Sequence, residues 1–402
     1  MAAMSTIMTK TSQGRRTWIA ALAILLLVWM VWFLNVPSLV KDSRVVAGVT
    51  KAIVHGEEHP LFDTAPTSAI AYSASNFPTP TPSPPPPPPP SKHNSTADRP
   101  LILYAFFETP GARLNLEFFI RHALHDAADF LFVLNGETDA ANLLPKRDNI
   151  RFVKRANDCY DLGAFAEILT TNDTYKAYNR YILMNASIRG PFLPYWSNQC
   201  WSNVYLDKLN EKTKLVGMTM NCEAPVPHIQ SMFWALDRAG LETLLFPSEE
   251  LVEKFKASLP PHNPNQPVPE MWSPGINSCP HEYWKAVAVE VYSTALVKAA
   301  GYEVDAMMSA YRGFGDALAR GEEVDLGGGS VKMGTMRTGT GYESICKESL
   351  DPLLEKQYWG TTIHPFDTVF AKTNRGSNMG SIERLTQWTA GRQYSSYDVC
   401  RW

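Results

Sequence analysis

The chain lacks the fingerprints of several large enzyme classes. It has no G-x-G-x-x-G, so a dinucleotide-binding oxidoreductase finds no support. It has no G-x-x-x-x-G-K-[ST], so a P-loop NTPase finds none either. G-x-S-x-G and H-E-x-x-H are also missing, which argues against elbow-type hydrolases and zincins. Cysteine is absent before Cys159, and none of the six is spaced C-x-x-C, which argues against a zinc site. There is no excess of positive charge. Lys and Arg number 37 against 40 Asp and Glu, so nucleic acid is not the expected partner. No internal repeat is present. Acidic residues are missing from the first sixteen positions.

What is present is uneven. Hydrophobic residues make up 45% of the 402, enough for a sizeable core, and this excludes disorder of the whole chain. Trp18 to Leu34 is a run of seventeen residues with no charge. At 1.5 Å per residue a helix there spans on the order of 26 Å, close to the hydrocarbon thickness of a thin bilayer. Lys10, Arg15 and Arg16 precede it, which predicts a cytosolic N-terminus and a luminal remainder. The run is longer than a usual signal-peptide core, and no small-x-small cleavage site follows it. Pro78 to Pro90 holds ten prolines in thirteen positions, the composition of an extended spacer. The expected organisation is a cytosolic tail (1–16), a transmembrane anchor (17–36), a Pro-rich luminal stalk (37–99) and a luminal domain (100–402). The expected location is the Golgi membrane, single-pass and type II. Asn94 and Asn172 stand in glycosylation sequons, and Asn185 formally does too. Six cysteines in an oxidising lumen allow fifteen connectivities if all pair.

From residue 100 onward, short apolar runs alternate with helical patterns. LILYAFF (101–107), FLFVL (130–134), 150–154, YILM (181–184) and LVGMTM (215–220) read as strands. Helices are expected at 118–124, at Leu162, Phe165 and Leu169, at Met232, Phe233 and Leu236, and over 281–300. The fold class is therefore α/β, with a mostly parallel sheet covered by helices on both faces. Two segments read as loops. Pro247–Pro280 contains eight prolines, and Gly313–Gly341 contains nine glycines.

Five strands end in polar residues: Glu108-Thr109, Asn135, Asn157-Asp158, Asn185 to Ser187, and Asn221. In open parallel sheets, ligands bind beyond the carboxyl ends of the strands. Turn and cap chemistry also produces such endings. Asn185, Ser187 and Arg189 are candidates for holding a diphosphate, with Arg189 suited to charge-assisted hydrogen bonds. Satisfying backbone groups at a strand end is the plainer role for Asn185 and Ser187. Asp158, Tyr160, Asp161 and Gly163 close a strand and open a helix, whose N-terminal amides favour anions. An N-cap is the plainer role for Asp161. Glu290 flanks the apolar face of a helix and is the candidate general base, against a plain solvated Glu. His364 and Lys372, with Arg375 nearby, are candidates to close over a diphosphate leaving group. A structural His before a proline turn is the alternative for His364.

These stretches carry a resemblance. DCYDLGAFAEIL, YILMNASIRGPFLPYW, KLVGMTMNC, PHIQSMFWALDRAGLE, GYEVDAMM and IHPFDTVFAKTNR resemble a group of eukaryotic glycosyltransferase-like membrane proteins. That group is similar to the rhamnan synthesis protein F family. The likeness covers about residues 100–375. It implies a GT-A-like (Rossmann-like) nucleotide-sugar fold and transfer of a sugar to a glycan or glycoprotein acceptor. Where related members read Asn-Asp-Ser, this chain has Ala186, a departure that bears on dependence on Mn or Mg and on activity. Two alternatives stay open: a non-catalytic carbohydrate-binding or scaffold relative, and a hydrolase pairing Glu290 with a second carboxylate such as Asp305.

Overall fold

A computed structural model of the chain describes residues 99–223, 225–259, 274–313, 324–325, 330–331, 351–375 and 378–401. The expected anchor, most of the stalk, Asn94 and most of the glycine-rich segment lie outside the described residues. Among the described residues, no helix is long and apolar enough to cross a membrane.

The strands begin with β1 (Leu101–Phe107), β2 (Asp129–Asn135), β3 (Ile150–Arg155), β4 (Arg180–Asn185) and the short β5 (Ile188–Arg189). They continue with β6 (Thr213–Gly217), β7 (Met220–Asn221), β8 (His228–Ile229), β9 (Phe233–Asp237) and β10 (Glu303–Ala306). Later come β11 (Val324–Asp325), β12 (Ser330–Val331) and β13 (Ala371–Lys372). The helices are α1 (Pro110–His122), α2 (Tyr160–Thr170), α3 (Trp201–Leu206), α4 (Arg238–Leu245) and α5 (Glu249–Ser258). Then follow α6 (Tyr283–Ala299), α7 (Pro365–Thr368), α8 (Met379–Gly391) and α9 (Ser396–Val399).

Seven strands form one sheet in the order β10-β6-β9-β4-β1-β2-β3. β3, β2, β1 and β4 pair in parallel, and so do β6 and β10. β9 runs antiparallel to both of its neighbours, β4 and β6. The helix expected at Met232, Phe233 and Leu236 is thus a strand. The apolar run FWALD is short and buried on both faces, so its spacing fits either element. Its place inside the sheet decides the matter. The strand expected over 215–220 also breaks after Gly217, where a Cβ would lie 2.1 Å from Ile229 Cγ2.

The centre of the sheet is buried on both sides because β1, β2, β4 and β9 are apolar at nearly every position, whereas the edge strand β3 (IRFVKR) is largely exposed. Leu101, Leu103 and Ala105 of β1 pack with Leu162, Phe165 and Leu296, from α2 and α6. Ile102, Tyr104 and Phe106 pack on the other side with Leu116, Phe119 and Trp201, from α1 and α3. Burying each Leu, Ile or Phe among them fully stabilises the fold by about 1.5–3 kcal/mol. Two disulfides tie the periphery: Cys159–Cys279 and Cys200–Cys400. Cys222 is disulfide-bonded as well.

This strand order positions the site. From β1 the chain steps outward to β2 and β3, then crosses back to place β4 on the other side of β1. Such a reversal opens a crevice at the carboxyl ends of the two diverging strands. Here those ends are Phe107 and Asn185.

Candidate active site

β4 ends on Asn185, and its alternation sends neighbouring side chains to opposite sides. Asn185 and Ser187 keep partial exposure, while Ala186 is buried in the apolar layer beneath α1. Asn185 Nδ2 donates to Asp161 Oδ2 at 2.7 Å. Asn185 Oδ1 accepts from the Ser187 backbone N–H at 3.1 Å and from the Ser187 hydroxyl. Lys372 Nζ donates to Ser187 Oγ at 2.8 Å. The lysine arrives on β13, which lies antiparallel to β5 with Lys372 opposite Ile188. One hydrogen-bonded chain therefore joins α2, the end of β4 and β13.

Glu290 reaches the same place from α6. Its Oε1 accepts from the Ser231 N–H at 2.8 Å. Lys372 feels the charges of Glu290, Asp161 and Asp351, and Asp161 feels those of Lys372 and Glu290. Burial is the largest influence on both interacting groups. It pushes the Asp161 carboxyl above the usual Asp range, against the Asn185 hydrogen bond and the Lys372 charge. It pushes the Lys372 ammonium below the usual lysine range, with Glu290 acting in the opposite sense. Asp161 is not the N-cap of α2: Cys159 holds that position, and Asp161 is the second residue of the helix, turned to Asn185.

Three further members escaped the sequence reading. Asp351, 1% exposed, accepts from Gln230 Nε2 at 3.3 Å and from the Leu353 N–H at 3.0 Å. Arg375 Nη1 stands 3.6 Å from its second oxygen. Asp351 lies in no regular element, so no periodicity marked it. Ser231 contributes only a backbone amide, which no sequence pattern signals. Phe107, at the end of β1, is 48% exposed beside the crevice.

The remaining candidates are placed differently. Arg189 does not face the crevice. It is 5% exposed, with Nε bonded to Asn115 Oδ1 at 2.9 Å and Nη1 bonded to Glu383 Oε1 at 2.8 Å. Its position on β5 directs it between α1 and α8, where it joins secondary structure. Arg189→Met leaves Asn115 and Glu383 without their cation. Because Glu383 is half exposed, we expect a loss of about 2 kcal/mol in urea denaturation, with nucleotide affinity unchanged. Asp158 is exposed and accepts from His281 Nδ1 and the Cys159 N–H, each at 2.8 Å. The His281 hydrogen bond draws its carboxyl below the usual range. Tyr160, 45% exposed, opens α2 at the carboxyl end of β3. His364 caps α7, its Nδ1 accepting from the Phe366 N–H at 3.1 Å, and it shares a cavity wall with Lys372. Asp305 pairs with Arg312 and stands 4.0 Å from Lys208, so it is not a second acid opposed to Glu290.

Gly163 does permit a close approach, but of protein. A Cβ there would lie 2.6 Å from Ser278 O and 2.9 Å from Cys159 Cβ. The segment carrying Cys279 is thereby seated on the first turn of α2. Gly163→Ala forces that backbone away, and a cost of about 1–3 kcal/mol is expected by chemical denaturation. An unchanged midpoint would contradict this packing.

The polar strand ends divide by role. Thr109 caps α1 by accepting from the Ala112 N–H at 3.1 Å, and Asn221 forms a turn with the Glu223 N–H. Glu108 is forked onto Arg113, and Asn135 accepts from Arg155. Only the β4 ending enters the charged cluster. At that ending the strand itself supplies an amide and a hydroxyl, and the carboxylates of Asp161, Glu290 and Asp351 come from elsewhere in the fold. Lys372 supplies a cation that faces them. Among the described residues, the His, Cys, Asp and Glu that draw together are His125 with Cys200 and Cys400, and Asp158 with Cys159 and Cys279. Disulfides occupy those cysteines.

No family model matches the chain, and no curated protein matches it. Among solved structures, it is similar to the mannosyltransferase PcManGT from Pyrobaculum calidifontis in complex with GDP-Man and Mn2+. The match covers 37% of this chain and 48% of that one, at 12% identity and a TM-score of 0.27. It spans about half the length of that structure, and at this score says nothing about the reaction.

Proposed function

We propose that the chain is a glycosyltransferase that moves a sugar from a nucleotide-sugar donor to a glycan or glycoprotein acceptor. One observation carries the reading. A partly buried ammonium, Lys372, hydrogen-bonded to Ser187 and faced by Asp161 and Glu290, lies at the β1–β4 switch point of an open α/β sheet. The GT-A-like fold and the kinship with the rhamnan synthesis protein F group belong to this proposal. So do the Golgi location and the membrane anchor; the disulfides fit an oxidising lumen.

In this reading the diphosphate lies against Lys372, whose charge takes the part a divalent cation plays elsewhere. The nucleoside extends over the ends of β1 to β3, towards Phe107, Asp158 and Tyr160. The acceptor hydroxyl attacks the anomeric carbon while the bond from that carbon to the diphosphate oxygen breaks. Negative charge gathers on the diphosphate, and Lys372 stabilises it. The hydroxyl proton passes to a carboxylate. Asp161 suits that role better than Glu290. Its proton affinity is raised by burial, and only Oδ2 is engaged by Asn185. Glu290, held by the Ser231 amide, is placed to accept hydrogen bonds from hydroxyls of the donor sugar. Ala186 does not weaken the reading: position 186 faces the core, and Asp161 brings a carboxylate from α2.

The test is release of nucleoside diphosphate from a panel of nucleotide sugars by the full chain in detergent. Turnover is expected with at least one donor, and persists in the presence of a chelator. Absence of both turnover and nucleotide binding across the panel would overturn the proposal.

A further inference from the structure

Three cavities join along the flank formed by α7, α8 and residues 191–200. The first is walled by His364, Phe370, Lys372, Asn378 and Ser381. The second shares His364, Asn378 and Ser381 and adds Arg384 and Trp388. The third shares Trp388 and ends on Tyr195, Trp196 and Phe366. The outer two, at about 370 and 420 Å³, have the size of small-molecule sites. The result is one trough with Lys372 at its inner end and aromatic rings at its outer end.

The outer rings are open to solvent: Tyr195 is 82% exposed, Trp196 71% and Trp388 63%. Single exposed aromatics need no explanation, but several lining one concavity do. The backbone that carries Tyr195 and Trp196 is also anchored. Residues 191–200 are tied to the end of the chain by Cys200–Cys400, and Arg392 Nη1 donates to Leu193 O at 3.3 Å. An anchored backbone leaves less freedom to lose on binding.

We infer that this trough is the acceptor site and that its occupant is an oligosaccharide. A pyranose has an apolar C–H face and a rim of hydroxyls. The trough offers the matching pair: ring faces at Trp196 and Trp388, and between them and Lys372 the hydrogen-bonding groups of Asn378, Ser381, His364 and Arg384. A lipid surface would favour a convex apolar patch, not a concave one with a polar middle. The trough also leads to Lys372, where the donor diphosphate is placed. The inference rests on the glycosyltransferase reading for its inner end only.

The test uses the full chain in detergent and an array of N-linked, O-linked and glycosaminoglycan oligosaccharides. Wild type is expected to bind a subset. Trp388→Ala and Trp196→Ala are each expected to weaken that binding at least about tenfold, as aromatic anchors do. Trp388→Phe keeps a ring and retains most of it. UDP and GDP affinity stays unchanged in all three variants. Glycan binding by a chain that binds no nucleotide would support the trough and overturn the donor reading. Nucleotide binding with no glycan binding would overturn the trough alone, as would equal losses in Trp388→Phe and Trp388→Ala. In nanodiscs of dibrominated phosphatidylcholine the Trp residues of the expected anchor are quenched in every variant, so the readout is the difference: quenching that is smaller in Trp388→Ala than in wild type would place this face on lipid and overturn the inference.

Discussion

Lys372→Ala is expected to lower kcat/KM for the nucleotide sugar by about 10²–10³-fold, the effect of removing one group that stabilises developing charge. The argument is positional. Lys372 is drawn into the crevice by the pairing of β13 with β5, and its Nζ is fixed on Ser187 Oγ at 2.8 Å. Burial makes its charge costly there, so the site is poised to be relieved by an arriving dianion. Lys372→Arg keeps the charge but changes the reach, and partial activity is expected. Affinity for the nucleoside diphosphate falls along with turnover in the alanine variant. An alanine variant with wild-type nucleotide affinity would remove Lys372 from the donor site. Because burial lowers the ammonium's pKa, donor binding should fail on the alkaline side earlier than for an ordinary lysine.

Asp161→Asn has the second large effect. A general base contributes roughly 10²–10⁴-fold, and a loss of that order in kcat is expected with little change in nucleotide affinity. The pH profile gives an independent check. Turnover needs Asp161 ionised and Lys372 protonated. Activity therefore falls as pH drops through the raised pKa of Asp161, and again as pH climbs through the lowered pKa of Lys372. The profile is a bell narrower than an unperturbed Asp–Lys pair would give. Stability has the opposite sign. A carboxyl whose folded pKa is raised contributes stability below its unfolded pKa, and that contribution is lost as pH rises through the folded value. At neutral pH, Asp161→Asn should therefore leave the midpoint of unfolding unchanged or raise it. A variant that loses both activity and stability would instead mark Asp161 as structural. Glu290→Gln is the control: a smaller loss in kcat and a higher KM for the donor.

The strands were readable because their burial is written as continuous apolar runs. LILYAFF, FLFVL and YILM fall inside β1, β2 and β4. FWALD was not readable, because a five-residue run buried on both faces has no periodicity that separates helix from strand. The β4 ending was legible as a site because polar residues followed an apolar strand. Its partners were less so. Lys372 lies 185 residues away in sequence from Ser187, and only the β13–β5 pairing brings them together. Arg189 misled for a related reason. Sequence proximity to Asn185 suggested a shared task, yet the turn that separates β4 from β5 and the approach of α8 direct it to Asn115 and Glu383. Asp351 and the Ser231 amide belong to irregular backbone, where local patterns are silent.

The most direct measurement is a structure of the full chain with a nucleoside diphosphate bound. The account predicts the diphosphate in the β1–β4 crevice, within hydrogen-bonding distance of Lys372 Nζ, with Asp161 and Glu290 on the open side where the sugar would lie. A diphosphate bound at another surface, with Lys372 still paired only to Ser187, would contradict it.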